Sequence, residues 1–269
     1  MKHLPKILFL ILLVFVAFTF ATQNTTNDLE IVTHELKGIV GVPIRVVQIS
    51  DVHLKRDELD SLALRVSEEI KALSPDIIVA TGDMVNYPTG MRALNRFLDL
   101  FPRNVPLIAV SGNWEASNLD EKNFEKLEQL YAIYGGSFLD NGWKVVEAWG
   151  MRVGLCGVRD KVTKAELSAL MEKAPKADLS ILLSHRPDTV DLLADEDRAK
   201  VDLVLSGHTH GGQFRPYGIT IVPQYIGEKR LSGFFTGSPP LYVNRGVGTT
   251  TMPVRLGVKP EIAVFDFIP

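Results

Sequence analysis

A single cysteine, Cys156, stands among the 269 residues, so the chain can form no internal disulfide and no thiolate-only metal site. Any metal must be held by histidine and carboxylate. A basic excess is also missing: 29 Lys and Arg face 32 Asp and Glu, for a formal charge of −3. A protein that grips a phosphate backbone normally carries the opposite balance, which sets nucleic acid aside as a partner. No repeat, low-complexity tract or long linker interrupts residues 28–269. With 46% hydrophobic residues the chain can bury one substantial core, and collagen, coiled coil and disorder are excluded. Cys156 ends the apolar run Val153-Gly154-Leu155-Cys156, the setting of a buried core thiol.

The longest apolar run lies at the start. Lys2 and Lys6 precede unbroken apolar sequence from Ile7 to Phe18, extended by Thr19-Phe20-Ala21 before the polar stretch Thr22 to Asn27. A membrane span needs roughly 18 to 20 apolar residues and a cleaved signal core about 7 to 15, so residues 1–21 fit either a signal peptide or an N-terminal membrane anchor. The leading positive charge predicts that the rest of the chain is exported, to the extracytoplasmic face of the cell membrane or the periplasm. Residues 22–30 are then expected as a linker and 31–269 as one folded domain.

Within that domain, apolar runs of strand length occur at Ile44 to Ile49, Ile77 to Ala80, Leu107 to Val110, Ile181 to Leu183 and Val201 to Leu205. Between them the period becomes helical, with Leu59, Leu62, Val66, Ile70 and Leu73 at spacings of three and four, and Phe124, Leu127, Tyr131 and Tyr134 likewise. Thr163 and Glu166 form a capping-box pattern. Shorter strands are predicted at Trp143 to Ala148, Arg152 to Cys156, Leu241 to Asn244 and Ile262 to Phe267. The alternation predicts an α/β layered sandwich.

Five of these strand ends share a pattern: one or two small residues, then a side chain able to hold a metal. They read Ser50-Asp51-Val52-His53, Thr81-Gly82-Asp83, Ser111-Gly112-Asn113, Ser184-His185 and Ser206-Gly207-His208-Thr209-His210. Strand carboxyl ends in an open α/β sheet face one crevice, so these positions are expected to converge. Four of the six histidines fall here, which is difficult to reconcile with scattered structural histidines. Seven nitrogen and oxygen ligands without sulfur exceed one tetrahedral zinc and suit two divalent ions, such as manganese, zinc, iron or cobalt. Two ions about 3.5 to 4 Å apart can bind a bridging hydroxide as nucleophile and clamp phosphate oxygens.

The ordered set Asp51-x-His53, Gly82-Asp83, Gly112-Asn113-x-Glu115, His185 and Gly207-His208-Thr209-His210 resembles the calcineurin-like metallophosphoesterase superfamily. The run from Gly207 to Gln213, the segment Leu241 to Gly248, and Pro253-Val-Arg-Leu-Gly257 are similar to its exported, YkuE-like branch of phosphodiesterases, related to enzymes that hydrolyse UDP-diacylglucosamine. The resemblance implies a four-layer α/β/β/α sandwich and two divalent ions, manganese first. It further implies that Asp51, His53 and His210 hold one ion, that Asn113, His185 and His208 hold the other, and that Asp83 bridges them. The implied activity is a phosphodiesterase or pyrophosphohydrolase acting on a lipid-linked or nucleotide-containing substrate, with the membrane met through the N-terminal segment and no protein partner implied.

One position departs from the family pattern. Where Gly-Asn-His is usual, this chain has Trp114, and an indole cannot transfer a proton at neutral pH. Three readings follow: a substrate whose leaving group needs no acid, a replacement acid such as Glu115, or a metal-binding protein that hydrolyses nothing. A phosphomonoesterase or protein phosphatase of the same superfamily is a further alternative. Asp83, Asn113 and Glu115 are the candidate catalytic residues, and Trp114, Arg159 and Gln213 the candidate substrate contacts. Arg186, directly after His185, is another cation able to meet a phosphate, and Phe234-Phe235, in the stretch from Gly227 to Gly237, reads equally as an apolar lip or as buried aromatics.

Overall fold

The computed structural model describes residues 4–222 and 229–269. After helix α1 (Leu4–Gln23), two six-stranded mixed sheets pack face to face. The first is ordered β1-β12-β2-β3-β4-β5, from β1 (Glu30–Lys37), β2 (Ile44–Ile49), β3 (Ile77–Thr81), β4 (Leu107–Val110), β5 (Ser137–Leu139) and β12 (Glu261–Ile268). The second is ordered β10-β11-β9-β8-β7-β6, from β6 (Gly142–Ala148), β7 (Met151–Gly157), β8 (Leu179–Leu183), β9 (Leu203–Ser206), β10 (Gly233–Phe235) and β11 (Leu241–Val243). Helices α2 (Ser61–Leu73), α3 (Met91–Asp99), α4 (Asn113–Asn118) and α5 (Glu121–Ile133) follow strands of the first sheet, and α6 (Lys164–Glu172) follows β7.

Three hydrophobic clusters separate four layers, because side chains alternate faces along each buried strand. On β3, Ile78 and Ala80 meet Val66, Ile70, Phe97 and Leu127 of the helices, while Ile77 and Val79 join Leu155, Ile181 and Leu203 between the sheets. On β9, Leu203 and Leu205 fill the same intersheet layer, and Val204 turns outward to Leu167 and Met171 of α6. The result is the expected α/β/β/α sandwich. Cys156 is buried in the outer cluster, and burial pushes its thiol above its ordinary pKa.

The predicted strands and helices form, with shifts at their ends: Val201 is buried but precedes β9. The Thr163–Glu166 capping box closes on α6 with both reciprocal bonds present. Helix α3 was not among the predicted elements, although Leu94, Phe97 and Leu98 give it a clear apolar face. Residues 22–30 are not a free linker. Asn24 bridges to Leu256, Thr25 N–H donates to the Arg255 carbonyl at 3.0 Å, and the Thr25 hydroxyl donates to the Val258 carbonyl at 2.9 Å. Phe234 packs with tilted rings against His34 and Tyr242 and Phe235 against the outer cluster, so the pair belongs to the packing of the second sheet rather than to a lip. Residues 227–228 of that stretch lie outside the described residues.

Parallel β2, β3 and β4 in one sheet and parallel β8 and β9 in the other direct their carboxyl ends to the same edge of the sandwich. Gln48 fixes the two sheets there, its Nε2 donating to Thr81 Oγ1 at 2.9 Å and to the Ser206 carbonyl at 3.0 Å. That edge carries all five ligand-bearing loops.

Candidate metal centre

Each strand leaves its sheet through a sharp turn that aims the next side chain inward. Asp51, His53, Asp83, His208 and His210 all have positive φ, at 53°, 55°, 54°, 74° and 52°. For L-residues this costs roughly 1 kcal/mol or more each, and such strain persists where surrounding bonds over-determine the backbone. Here Asp51 N–H donates to the Gly82 carbonyl, His53 N–H to the Asp83 carbonyl and Gly248 N–H to the Asp51 carbonyl. The neighbouring glycines are required sterically: a Cβ on Gly82 would lie 2.7 Å from the Gly112 nitrogen, and one on Gly112 would collide with the Asp83 carboxylate.

The side chains converge as predicted. His53 Nε2 lies 3.0 Å from His210 Nε2, and Asp51 Oδ1 sits 3.2 Å from His210 Nε2 and 3.9 Å from His53 Nε2. On the other side, His185 Nε2 lies 3.1 Å from Asn113 Oδ1 and 3.2 Å from His208 Nδ1. Asp83 Oδ2 stands between the groups, 3.2 Å from His185 Nε2 and 3.8 Å from His53 Nε2. Asp51, His53 and His210, and separately Asp51, Asp83 and His185, offer donor atoms close enough to share a cation.

Three observations show that the donors fit divalent metal. Asp51 Oδ1 is buried without a hydrogen-bond donor, although Ser50 Oγ and the His208 N–H both donate to its partner oxygen. His53 and His210 point ring nitrogens at one another within a buried space. Charge gives the third. Burial raises Asp51 and Asp83, but the facing imidazoles outweigh it and hold both carboxylates below their ordinary range. His185, despite burial, is pushed up to about 10 by Asp83 and Asp51, whereas burial and neighbouring cationic groups bring His53 down to about 4 and His208 to about 3. Asp51 and Asp83 thus favour their charged form at a buried site, a setting that a bound cation suits.

Supporting groups orient the ligands. His53 Nδ1 pairs with Asn86 Oδ1 at 2.7 Å and His185 Nδ1 with the Thr81 carbonyl at 2.8 Å, so in each ring Nε2 is the nitrogen left for a metal. His210 differs. Its Nδ1 faces Arg255 Nη2 at 3.2 Å, and that fully buried guanidinium also donates to the Arg245, Gly246 and Gly248 carbonyls. Neither Asn86 nor Arg255 was predicted. Their partners lie 33 and 45 residues away, though Arg255 falls in the Pro253-to-Gly257 segment already singled out.

The other predicted site residues sort differently. Asn113 and Trp114 are half-buried at the opening, and the Trp114 indole meets His53 edge-on at 5.6 Å and Tyr87 at 5.8 Å. Glu115 is buried with both oxygens engaged: Oε2 accepts from Asp83 and Gly112 N–H, and Oε1 from Met84 and Val85 N–H. Burial and Asp83 push its carboxyl up to about 7, against the pull of those amides. It therefore grips the Asp83 loop from behind instead of facing the opening as an acid. Gln213 is buried too, donating to the Met252 and Val254 carbonyls and accepting from Thr250. Arg159 turns its guanidinium onto Glu166 of the capping box. Arg186 is a second cation at the cluster beside Arg255, with Nη1 3.2 Å from His208 Nε2 and Nε 2.5 Å from Asp160 Oδ1.

Mixed sheets stacked in four layers, with carboxylates and imidazoles converging at their strand ends, define a metal-dependent phosphoester hydrolase. The Calcineurin-like phosphoesterase family profile matches residues 44–212, and the chain belongs to that family. It is 31% identical over 256 residues to the uncharacterized metallophosphoesterase YkuE of Bacillus subtilis, covering 91% of this chain and 84% of that one. It is 27% identical to the phosphodiesterase YaeI of Escherichia coli, covering 89% and 88%. Among solved structures, a candidate 5'-nucleotidase from Staphylococcus aureus superposes with a TM-score of 0.52 at 13% identity, covering 84% of this chain and 55% of that one. That likeness is one of fold.

Proposed function

We propose that the chain is a two-metal phosphodiesterase or pyrophosphohydrolase, acting at the extracytoplasmic face of a membrane on a lipid-linked or nucleotide-containing substrate. The observation that carries this reading is Asp83, whose Oδ2 faces both donor groups at once. In the proposed centre Asp51, His53 and His210 hold one ion, Asn113, His185 and His208 the other, and Asp83 joins them, with manganese first and zinc, iron or cobalt as alternatives. Bound ions would supply Lewis-acid polarisation of the phosphoryl oxygens and a water of lowered pKa.

The chain's own groups do the rest. Arg186, locked by Asp160, presents positive charge at the opening, where it offsets charge on the phosphoryl oxygens. Asn113, half-buried with its Oδ1 3.1 Å from His185 Nε2, would hold its ion where the phosphoryl group arrives. Trp114 and Tyr87 form an aromatic wall where related enzymes are expected to carry an acid. With Glu115 engaged by four backbone amides, neither it nor Trp114 delivers a proton to the leaving group. A site built this way favours leaving groups that depart as stable anions, as in a pyrophosphate or an activated diester.

Hydrolysis of bis-p-nitrophenyl phosphate and p-nitrophenyl phosphate by the manganese-loaded full chain tests the reading. Turnover of the diester in preference to the monoester supports it. Monoester preference favours the phosphatase alternative. Inertness with both ions bound favours the silent metal-binding protein.

A further inference from the structure

The exposed apolar side chains of the folded domain are mostly spread over separate elements, but one edge gathers four. Tyr217, Ile219 and Ile221 stand 54%, 65% and 52% exposed on the loop after the metal-centre segment, and Met252 is 54% exposed on the neighbouring loop. The two loops are tied together, Gln213 Nε2 donating to the Met252 carbonyl at 3.0 Å and Arg215 N–H to the Leu256 carbonyl at 2.7 Å, and the first is closed on itself by Ile221 N–H donating to the Phe214 carbonyl at 3.3 Å.

The same edge receives the end of α1. The Tyr217 N–H donates to Gln23 Oε1 at 3.3 Å, and the Gly257 N–H to the Gln23 carbonyl at 2.7 Å. Residues Lys6–Gln23 are long and apolar enough to cross a bilayer, with mean hydropathy 2.1, and none of that helix is buried against the domain. A helix whose last residue is bonded to a loop leaves no slack between membrane and domain, so that loop sits where the helix leaves the lipid. Aliphatic side chains beside a tyrosine are the chemistry of that depth, with apolar bodies in the acyl boundary and the phenol toward water.

We propose that Tyr217, Ile219, Ile221 and Met252 form a face that enters the outer part of the lipid bilayer beside α1, docking the catalytic domain on the membrane. The proposal rests on reading α1 as a retained anchor, and goes beyond it by fixing the domain's orientation. It also places a cavity of about 340 Å³, lined by His53, Lys55, Arg56, Pro253, Thr26 and Asn27, between the metal centre and the segment that follows the helix. Lys55 and Arg56 share that lining with Glu58 and Asp60, so charge of both signs faces the space between centre and membrane.

The test uses the full chain in vesicles of phosphatidylcholine and phosphatidylglycerol. Cys156 is fully buried, so Ile219→Cys or Ile221→Cys provides the one accessible thiol for an environment-sensitive fluorophore, and Ile133→Cys on α5 is the control. Docking predicts a blue-shifted label at 219 and 221, quenched by brominated phosphatidylcholine and shielded from iodide, with the reverse at 133. Labels at 219 and 221 quenched by iodide as strongly as at 133, in protein that floats with the vesicles, would overturn docking and leave the anchor standing. Protein that stays in solution with its helix removed, as its mass would show, would overturn both. Diester hydrolysis, measured on the same samples, reports separately on the catalytic reading.

Discussion

Asp51, His53, Asp83 and His210, at the floor of the centre, are all buried, and their backbones sit in a strained conformation pinned by neighbouring loops. Asn113, Trp114, Arg186 and His208, at the opening, are half-buried. The floor is built for one task, keeping two buried carboxylates and several imidazoles aimed at a common space. The opening is built from a different mixture, an amide, an indole, an imidazole and a cation. In the proposed enzyme the first region would carry the metal chemistry and the second would set which phosphoester approaches.

The largest effect expected from breaking this contrast is at the floor. Asp83→Asn should reduce diester turnover beyond the roughly 100-fold that loss of a supporting group costs, because it removes the carboxylate shared by both donor sets. A steady-state assay at saturating manganese checks this. At the opening, Trp114→His should leave esters with good leaving groups nearly unchanged. For poor leaving groups it should raise turnover by up to about 10²-fold, the lower range of general-acid contributions. Rates plotted against leaving-group pKa read this out, and a gain uniform across the series would contradict it. Between the two regions, Asn86→Ala should weaken metal affinity by about 10- to 100-fold while preserving fold, since it frees the His53 ring to rotate. Calorimetric titration with manganese and a circular-dichroism melt separate these. The smallest effect belongs to Arg159→Ala, which should leave diester turnover unchanged and cost at most about 1 kcal/mol of stability, the worth of a surface pair with Glu166.

The same contrast explains what could be read from the sequence. The floor was legible because each ligand follows a small residue at the end of an apolar strand, and the parallel register that gathers those ends is itself encoded by the buried runs. The sandwich was legible for the same reason, since strands such as Ile77–Thr81 feed side chains alternately to two apolar layers. What escaped was contact between distant segments. Glu115 sits two residues after a ligand and looks like an acid, but the turn at Gly112 points it back at four amides. Arg255 reaches His210 only after the last strand's approach has folded over the centre. Arg159 and Arg186 both follow strands of the second sheet, and no spacing rule says that one is captured by Glu166 and the other by Asp160 beside His208.

The central claim is that Asp83 joins two metal ions. The most direct measurement is the metal content of the full chain after manganese loading, by native mass spectrometry, for wild type and Asp83→Asn. The account predicts two ions per wild-type chain and at most one in the variant. A wild-type chain that turns over diester with a single ion, or an Asp83→Asn chain that keeps both, would contradict it.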